Sequence, residues 1–337
     1  MAIYMSRADH RSPAFTLAVL TLTALAACSY EPVMPKTPTT SEAAAQSATP
    51  IEVVVTNTSG GTDAGSLRWA AEKISFVGGA IRFDPSLGGK TITLDEGLEL
   101  HRETEIVGPD EGITISGKDQ FRIIYSTGAL TLTNATITKG YAPFGSALDV
   151  AGLELNNSTV QDNRSPGSAI YAANKLVIHN STVSGNTIGG SAVEYGSGGA
   201  ILNNSTIAFN GPGAGLGPFG YPSSTAKVTL VNSIISNNAS QNCSSFFGFV
   251  YVGTNISNDW SCGEVAIMVA DPMLFPLADN GGPTMTHAIS HLGAAFNKGT
   301  TCWAAVDQRY VNRDAKCDVG AFELNESRRS RSRSTRT

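Results

Sequence analysis

The feature that most constrains this chain is a repeat in its middle. The triplets Asn134-Ala135-Thr136, Asn157-Ser158-Thr159, Asn180-Ser181-Thr182, Asn204-Ser205-Thr206 and Asn232-Ser233-Ile234 begin at intervals of 23, 23, 24 and 28 residues. Apolar residues recur at fixed offsets around each Asn. Four positions earlier stand Leu130, Leu153, Leu176, Ala200 and Val228; two earlier, Leu132, Leu155, Ile178, Leu202 and Leu230; three later, Ile137, Val160, Val183, Ile207 and Ile235. Alternation with period two marks half-buried strands, with a turn at the Asn between them. Gly140, Asn163, Asn186, Asn210 and Asn238 form a second column suited to a left-handed or side-chain-bonded turn. Ser146-Ala147-Leu148, Ser168-Ala169-Ile170 and Ser191-Ala192-Val193 supply a further strand per unit.

Three short strands cannot close a core alone. Stacked in parallel at about 4.8 Å per rung, they share one continuous apolar column. The expected fold is therefore all-β, a single-stranded right-handed parallel β-helix. Strands also read at Ile92 to Leu94, Leu98 to Leu100, Thr104 to Val107, Ile113 to Ile115 and Phe121 to Ile124, so nine or ten rungs are expected from about residue 80 to about 290. Because the Asn-x-Ser/Thr triplets keep the core period, they read as turn-forming Asn ladders rather than N-glycosylation acceptors.

Composition agrees. Charged residues are 15% of the chain, against roughly 25% in an average soluble domain, and 41% are hydrophobic, which argues against charge-driven disorder. The net charge of −5 conceals a split: residues 28–327 hold 16 basic and 27 acidic residues, whereas the last ten hold five Arg and no acid. Nucleic acid is not an expected partner of so acidic a body.

Arg7 and Arg11 precede an apolar or small stretch from Ala14 to Ala27, the pattern of an export signal and too short to span a bilayer comfortably. The stretch ends Leu25-Ala26-Ala27-Cys28, which resembles the lipobox of a bacterial lipoprotein. The resemblance implies a signal peptide over 1–27, a lipid on Cys28 and a membrane anchor that does not span. Ser29, not Asp, follows the cysteine, which by resemblance to enterobacterial lipoprotein sorting favours the outer membrane, facing either the periplasm or the surface. Residues 28–50, rich in Pro, Thr, Ser and Ala, read as a flexible tether, and the folded domain should occupy 51–323. The Ser/Arg-rich end, 324–337, reads as a disordered tail.

A solenoid needs caps over its exposed ends. Gly65-Ser66-Leu67-Arg68-Trp69-Ala70-Ala71 reads as a turn and a short amphipathic helix that could cover the N-terminal end with Leu67, Trp69 and Ala70 or Ala71. These segments resemble the choice-of-anchor Q domains of surface proteins and the related domains named for a Cys-Ser-Leu-Arg-Glu-Ala motif. That motif survives as Ser66-Leu67-Arg68, with Trp69 in place of Glu. The rung triplets are similar to those of polymorphic outer-membrane proteins. At the other end, Asp271-Pro272, Pro276 to Thr284, Thr286-His287, Asp307-Gln308-Arg309 and Cys317 to Glu323 match the choice-of-anchor Q pattern. Departures are Asn297 for Asp and Tyr310 for Gly. The resemblance covers nearly all of 51–323 and implies a pectin-lyase-like solenoid with a disulfide-stapled C-terminal cap. Such proteins carry varied, often C-terminal, sorting signals; here the N-terminal lipid takes that role.

With Cys28 lipidated, four cysteines remain for an oxidising compartment. Three connectivities are open. Cys243 with Cys262 and Cys302 with Cys317 is the pairing we expect, because each pair brackets a loop without rung spacing. Cysteine spacing does not favour a metal site, nor does the pair His287 and His291; no cofactor is expected. Asp307, Arg309, Arg313, Asp318 and Glu323 form a charged group near a disulfide, read as fixing terminal loops by charge-assisted hydrogen bonds.

Many β-helices cleave polysaccharides, so carboxylates need a hearing. Asp149, Tyr171 and Glu194 fall in one outward column; in register, Asp149 and Glu194 would stand two rungs apart, about 9.6 Å, at the upper end of the inverting window of about 6.5 to 9.5 Å. No Lys or Arg shares their offset. They are weak catalytic candidates, and the bland alternative is a solvated face; Tyr171 could instead stack on sugar. A second outward column, Asn156, His179 and Asn203, lacks a carboxylate. The 28-residue interval holds an insertion, Gly211 to Ser224, in which Phe219 and Tyr221 could contact a glycan or protein. The expected function is that of a monomeric, lipid-anchored, non-catalytic surface or periplasmic binding or structural module, adhesin-like or glycan-contacting, that touches polysaccharide or another surface protein. The alternative is a polysaccharide lyase or glycoside hydrolase.

Overall fold

The computed structural model describes residues 51–220, 226–244, 248–263, 267–300, 302 and 304–325, all within the compact unit Thr49–Thr337. The signal segment, Cys28, the tether, Tyr221 and the tail from 326 lie outside the described residues.

The repeat columns become strand pairs. Leu153 pairs with Leu176, Leu176 with Ala200 and Ala200 with Val228, while Val160 pairs with Val183 and Val183 with Ile207, all in parallel. Nine strands stack along the first sheet, from Glu52–Val55 to Phe249–Val252, and nine along the second, from Thr91–Thr93 to Met268–Val269. A third row joins the first sheet because long strands such as Ile124–Thr133 and Leu148–Asn156 run through both, with a register shift between. Leu130, Leu153, Leu176, Ile178, Val183 and their equivalents point inward and form one buried core.

The span differs from expectation. Parallel stacking starts at Glu52, ahead of residue 80, and ends at Val269, because Leu274–Ala278 and Thr286–Ile289 form an antiparallel hairpin instead. Pro276 cannot donate to a ladder, and Gly281 and Gly282, at φ of 89° and 84°, supply the reversal. Only six stations of the third row are strand among the described residues, so complete three-sided turns are fewer than nine or ten.

The polar columns divide the turn chemistry. Asn134, Asn157, Asn180, Asn204 and Asn232 take left-handed φ values of 43° to 55° at the corner between first and second sheets, a conformation Asn tolerates better than other non-glycine residues. The serines that follow make a ladder: Ala135 N donates to Ser158 Oγ, Ser158 N to Ser181 Oγ and Ser181 N to Ser205 Oγ. The side-chain amide ladder lies in the second Asn column. Asn186 Oδ1 accepts from Asn163 N and Nδ2 at 3.0 and 2.9 Å, and Asn186 Nδ2 donates to Asn210 Oδ1 at 2.8 Å. These amides are buried, where an unpaired polar group would cost about 1–3 kcal/mol.

Helix α1, Leu67–Ile74, lies at the N-terminal end, started by Ser66, whose side chain accepts from Trp69 N. It buries Leu67, Ala70, Ala71 and Ile74, with Trp69 partly buried against the core. At the far end Cys243 and Cys262 are bonded and both buried in the main core. Cys302 and Cys317 are bonded too, but their segment lies along a flank. The described residues of 274–325 pack on the outer face of the second sheet, where Ala295, Val319 and Phe322 meet Ile234 and Ile256. The fifth repeat therefore carries Ile234 where the others have Thr: its outward side chain receives this strap.

Candidate functional site

Two outward surfaces carry chemistry, and the strap covers one of them. Gln308, fully buried, places Nε2 2.9 Å from Thr159 Oγ1 and 2.8 Å from Thr284 Oγ1, while its Oε1 accepts from Thr182 Oγ1 at 2.7 Å. His287 Nε2 lies 2.7 Å from Ser184 Oγ, and burial pushes its pKa down. Arg309 is paired with Asp307 at 2.6 Å and lies 3.6 Å over the ring of Phe322. Arg313, whose side chain is 1% exposed, meets Glu323 at 3.2 Å and donates to Gly320 O and Asn180 Oδ1. Burial drives the Asp318 carboxyl up to about 7 although it accepts from Asn297 N and Leu324 N. The expected charged group is thus gathered in the strap and spent on its own loops. Asn297 and Tyr310, the departures from the resembled pattern, both have positive φ, 53° and 64°, which explains a Gly preference at the second. Tyr310 is anchored by donating to Asn134 Oδ1 at 2.7 Å. Among the described residues no group of three or more His, Cys, Asp or Glu is placed to hold a metal ion.

The other surface is the open third row. Leu148, Ile170 and Val193 point inward and stack, so their neighbours Asp149, Tyr171 and Glu194 face outward on successive rungs in register. The column extends further than the repeat analysis found: Tyr125 pairs with Asp149, Glu99 pairs with Tyr125, and Gly217 ends it beyond Glu194. Phe219 lies 4.7 Å from the Tyr171 ring, and Phe144, from the turn before Ser146, lies 5.9 Å from Tyr171 and 6.2 Å from Phe219. Phe219 is 49% exposed.

Arg122 is the residue sequence reasoning missed. It is absent from the column's offset because it reaches up one rung from a position before the strand, pairing with Asp149 at 2.9 Å. Its Nε and Nη2 donate to Gly145 O and Phe144 O, and its guanidinium lies 5.1 Å over the Phe144 ring. It therefore ties the aromatic turn to the carboxylate. Asp149 is buried, not solvated; burial raises its pKa and Arg122 pulls the other way. Burial also raises Glu194, against a bond from Ser168 and one from Ser191 N. Tyr171, between them, is raised by burial and by both carboxylates. The column Asn156, His179 and Asn203 is also in register, and burial lowers His179.

Beside Glu99 and Tyr125 opens a cavity of about 720 Å³ lined by Arg68, Phe76, His101 and Arg122 among others. Arg68, of the surviving Ser-Leu-Arg motif, pairs there with Glu96 at 2.9 Å.

The chain is similar to known β-helices. A family described as a right handed beta helix region matches residues 110–261. No curated protein matches. Among solved structures, the crystal structure of the pectate lyase Pel9A is similar at 12% identity, with 82% of this chain and 97% of that chain covered and a TM-score of 0.37. Register, stacking and the family match together make the described solenoid a right-handed parallel β-helix.

Proposed function

We propose that this protein is a lipid-anchored module of the cell envelope that holds glycan on its open face without cleaving it. The observation that carries this reading is the cluster of Phe144, Tyr171 and Phe219 beside Asp149, Glu194 and Arg122. Aromatic faces next to polar groups suit sugars, whose rings offer apolar C–H faces and hydroxyl edges. Asp149 is committed to Arg122, and Tyr171 stands between the two carboxylates. That is a poor arrangement for a pair that must flank one bond. Two disulfides suit an oxidising compartment, in keeping with export through the N-terminal segment and anchoring at Cys28.

One observation favours a second reading, polysaccharide hydrolysis: both Asp149 and Glu194 have raised pKa values, as a general acid requires. A panel of neutral and acidic polysaccharides decides. Retention on glycan gels, lost in Phe219→Ala, with no new reducing ends or unsaturated products, is the expected result. Turnover abolished by Asp149→Ala or Glu194→Ala would replace binding with catalysis. Cys28→Ser should move the protein from the membrane fraction to the soluble fraction.

A further inference from the structure

We propose that the glycan is an uncharged, extended, β-1,4-linked chain lying parallel to the solenoid axis, seated on the column from Glu99 to Glu194 and continuing into the cavity beside Phe76. This rests on the glycan-binding reading above and names its ligand class.

The column alternates without a break. Glu99, Tyr125, Asp149, Tyr171 and Glu194 occupy five successive rungs, paired residue to residue. Carboxylate and ring thus each recur every two rungs, about 9.6 Å apart at about 4.8 Å per rung. A ligand that follows such a surface must itself repeat every second unit, with each unit about one rung long. An extended β-1,4-linked pyranose chain does so, because each sugar is turned over relative to the last. A ring face meeting a tyrosine at one sugar would be followed by a hydroxyl edge meeting Glu99, the Arg122–Asp149 pair or Glu194 at the next. Gluco chains with α-1,4 or β-1,3 linkages curl away from a straight column and would keep this phase over only a short stretch.

The cavity supplies the continuation. It shares Glu99, Tyr125 and Arg122 with the column. At its edge Phe76, 73% exposed, stacks on His101 with centroids 4.6 Å apart. An exposed ring held in place by stacking is a further platform in the cavity that Glu99 and Tyr125 share. Charge selects against acidic chains. Glu72, Glu96 and Glu99 line the cavity, and its two arginines are already paired, Arg68 with Glu96 and Arg122 with Asp149. The charge left over is negative, which repels uronic acids.

The test is calorimetric titration of the full chain with β-1,4-linked gluco- and manno-oligosaccharides, from disaccharide to hexasaccharide. Maltohexaose, laminarihexaose and oligogalacturonate serve as comparisons. Affinity should rise at least about tenfold from disaccharide to hexasaccharide in a β-1,4 series alone. Phe76→Ala should weaken the hexasaccharide and leave the disaccharide unchanged, whereas Phe219→Ala should abolish binding of both. A flat length series, equal binding of the comparison chains, or a hexasaccharide indifferent to Phe76→Ala would overturn the axial track. If such a result came with binding that Phe219→Ala still abolishes, the glycan-holding module would survive. Absence of binding to every glycan would remove both.

Discussion

Two sides of one solenoid meet different fates. On the second sheet the outward Thr159, Thr182 and Thr206 are each bonded to the strap, to Met285 O, Gln308 Oε1 and Ala321 N respectively. On the third row no segment of the described chain covers the column from Glu99 to Glu194 as the strap covers the threonines; its own aromatic turns and Arg122 shelter Asp149, and Glu99, Tyr125, Tyr171 and Glu194 keep part of their surface. Both sides arise from the same rungs, so the difference lies in what each column offers. Small hydroxyls at regular height suit a backbone laid across them. Large rings alternating with carboxylates do not, and they stay available to something outside the chain.

The largest way to break this contrast is on the sealed side. Arg313→Ala leaves Glu323 buried without its cation and should cost about 3–5 kcal/mol. It should lower the denaturant midpoint and open residues 294–325 to protease. Glycan retention by the open face should persist as long as the rungs remain folded. Asn186→Ala acts on both sides, because the amide ladder from Asn163 to Asn242 lies at the corner between the second sheet and the third row. It strips partners from Asn163 N, Val160 O and Asn210 Oδ1 and should cost about 3 kcal/mol in an unfolding titration.

Acidity sharpens the contrast next. Asp318 binds its proton more tightly in the folded chain, at about 7 against an ordinary 3.8. The stability it contributes is therefore full at acid pH and is lost as pH rises through that window to about 7. The unfolding free energy should fall by about 1 kcal/mol or more across it, read from denaturant titrations, and Asp318→Asn should flatten the slope. The smallest effect belongs to the open side: Phe219→Ala should change stability by less than about 0.5 kcal/mol while removing glycan retention.

The two sides were not equally legible in the sequence. Leu153, Leu176 and Ile178 announced the core because a solenoid writes its contacts at a constant spacing. The outward triplet Asp149, Tyr171 and Glu194 was visible for the same reason. Glu99 and Tyr125 belong to the same column but precede the clear repeat, so no spacing led to them. Arg122 was hidden because a long side chain can leave its own position and act a rung away. The strap was hidden most deeply. Tyr310 meets Asn134 across 176 residues and Gln308 meets Thr159 across 149, and neither separation recurs. Tyr310 left one trace, as a bulky residue where the resembled pattern has Gly, and Ile234 left another, as an apolar side chain in a Thr column.

The strap also acts as a ruler. Between Val306 and Gly320 it contacts the corners at Asn134, Asn157, Asn180 and Asn232, through Tyr310, Gln308, Val306 and Gly320. Tandem repeats commonly gain or lose whole units by unequal recombination, and a bare solenoid tolerates this because each unit sees only its neighbours. Here a unit gained or lost between Asn134 and Asn232 would put several corners out of step with a segment whose length is unchanged. Copy number is thus locked inside the braced stretch.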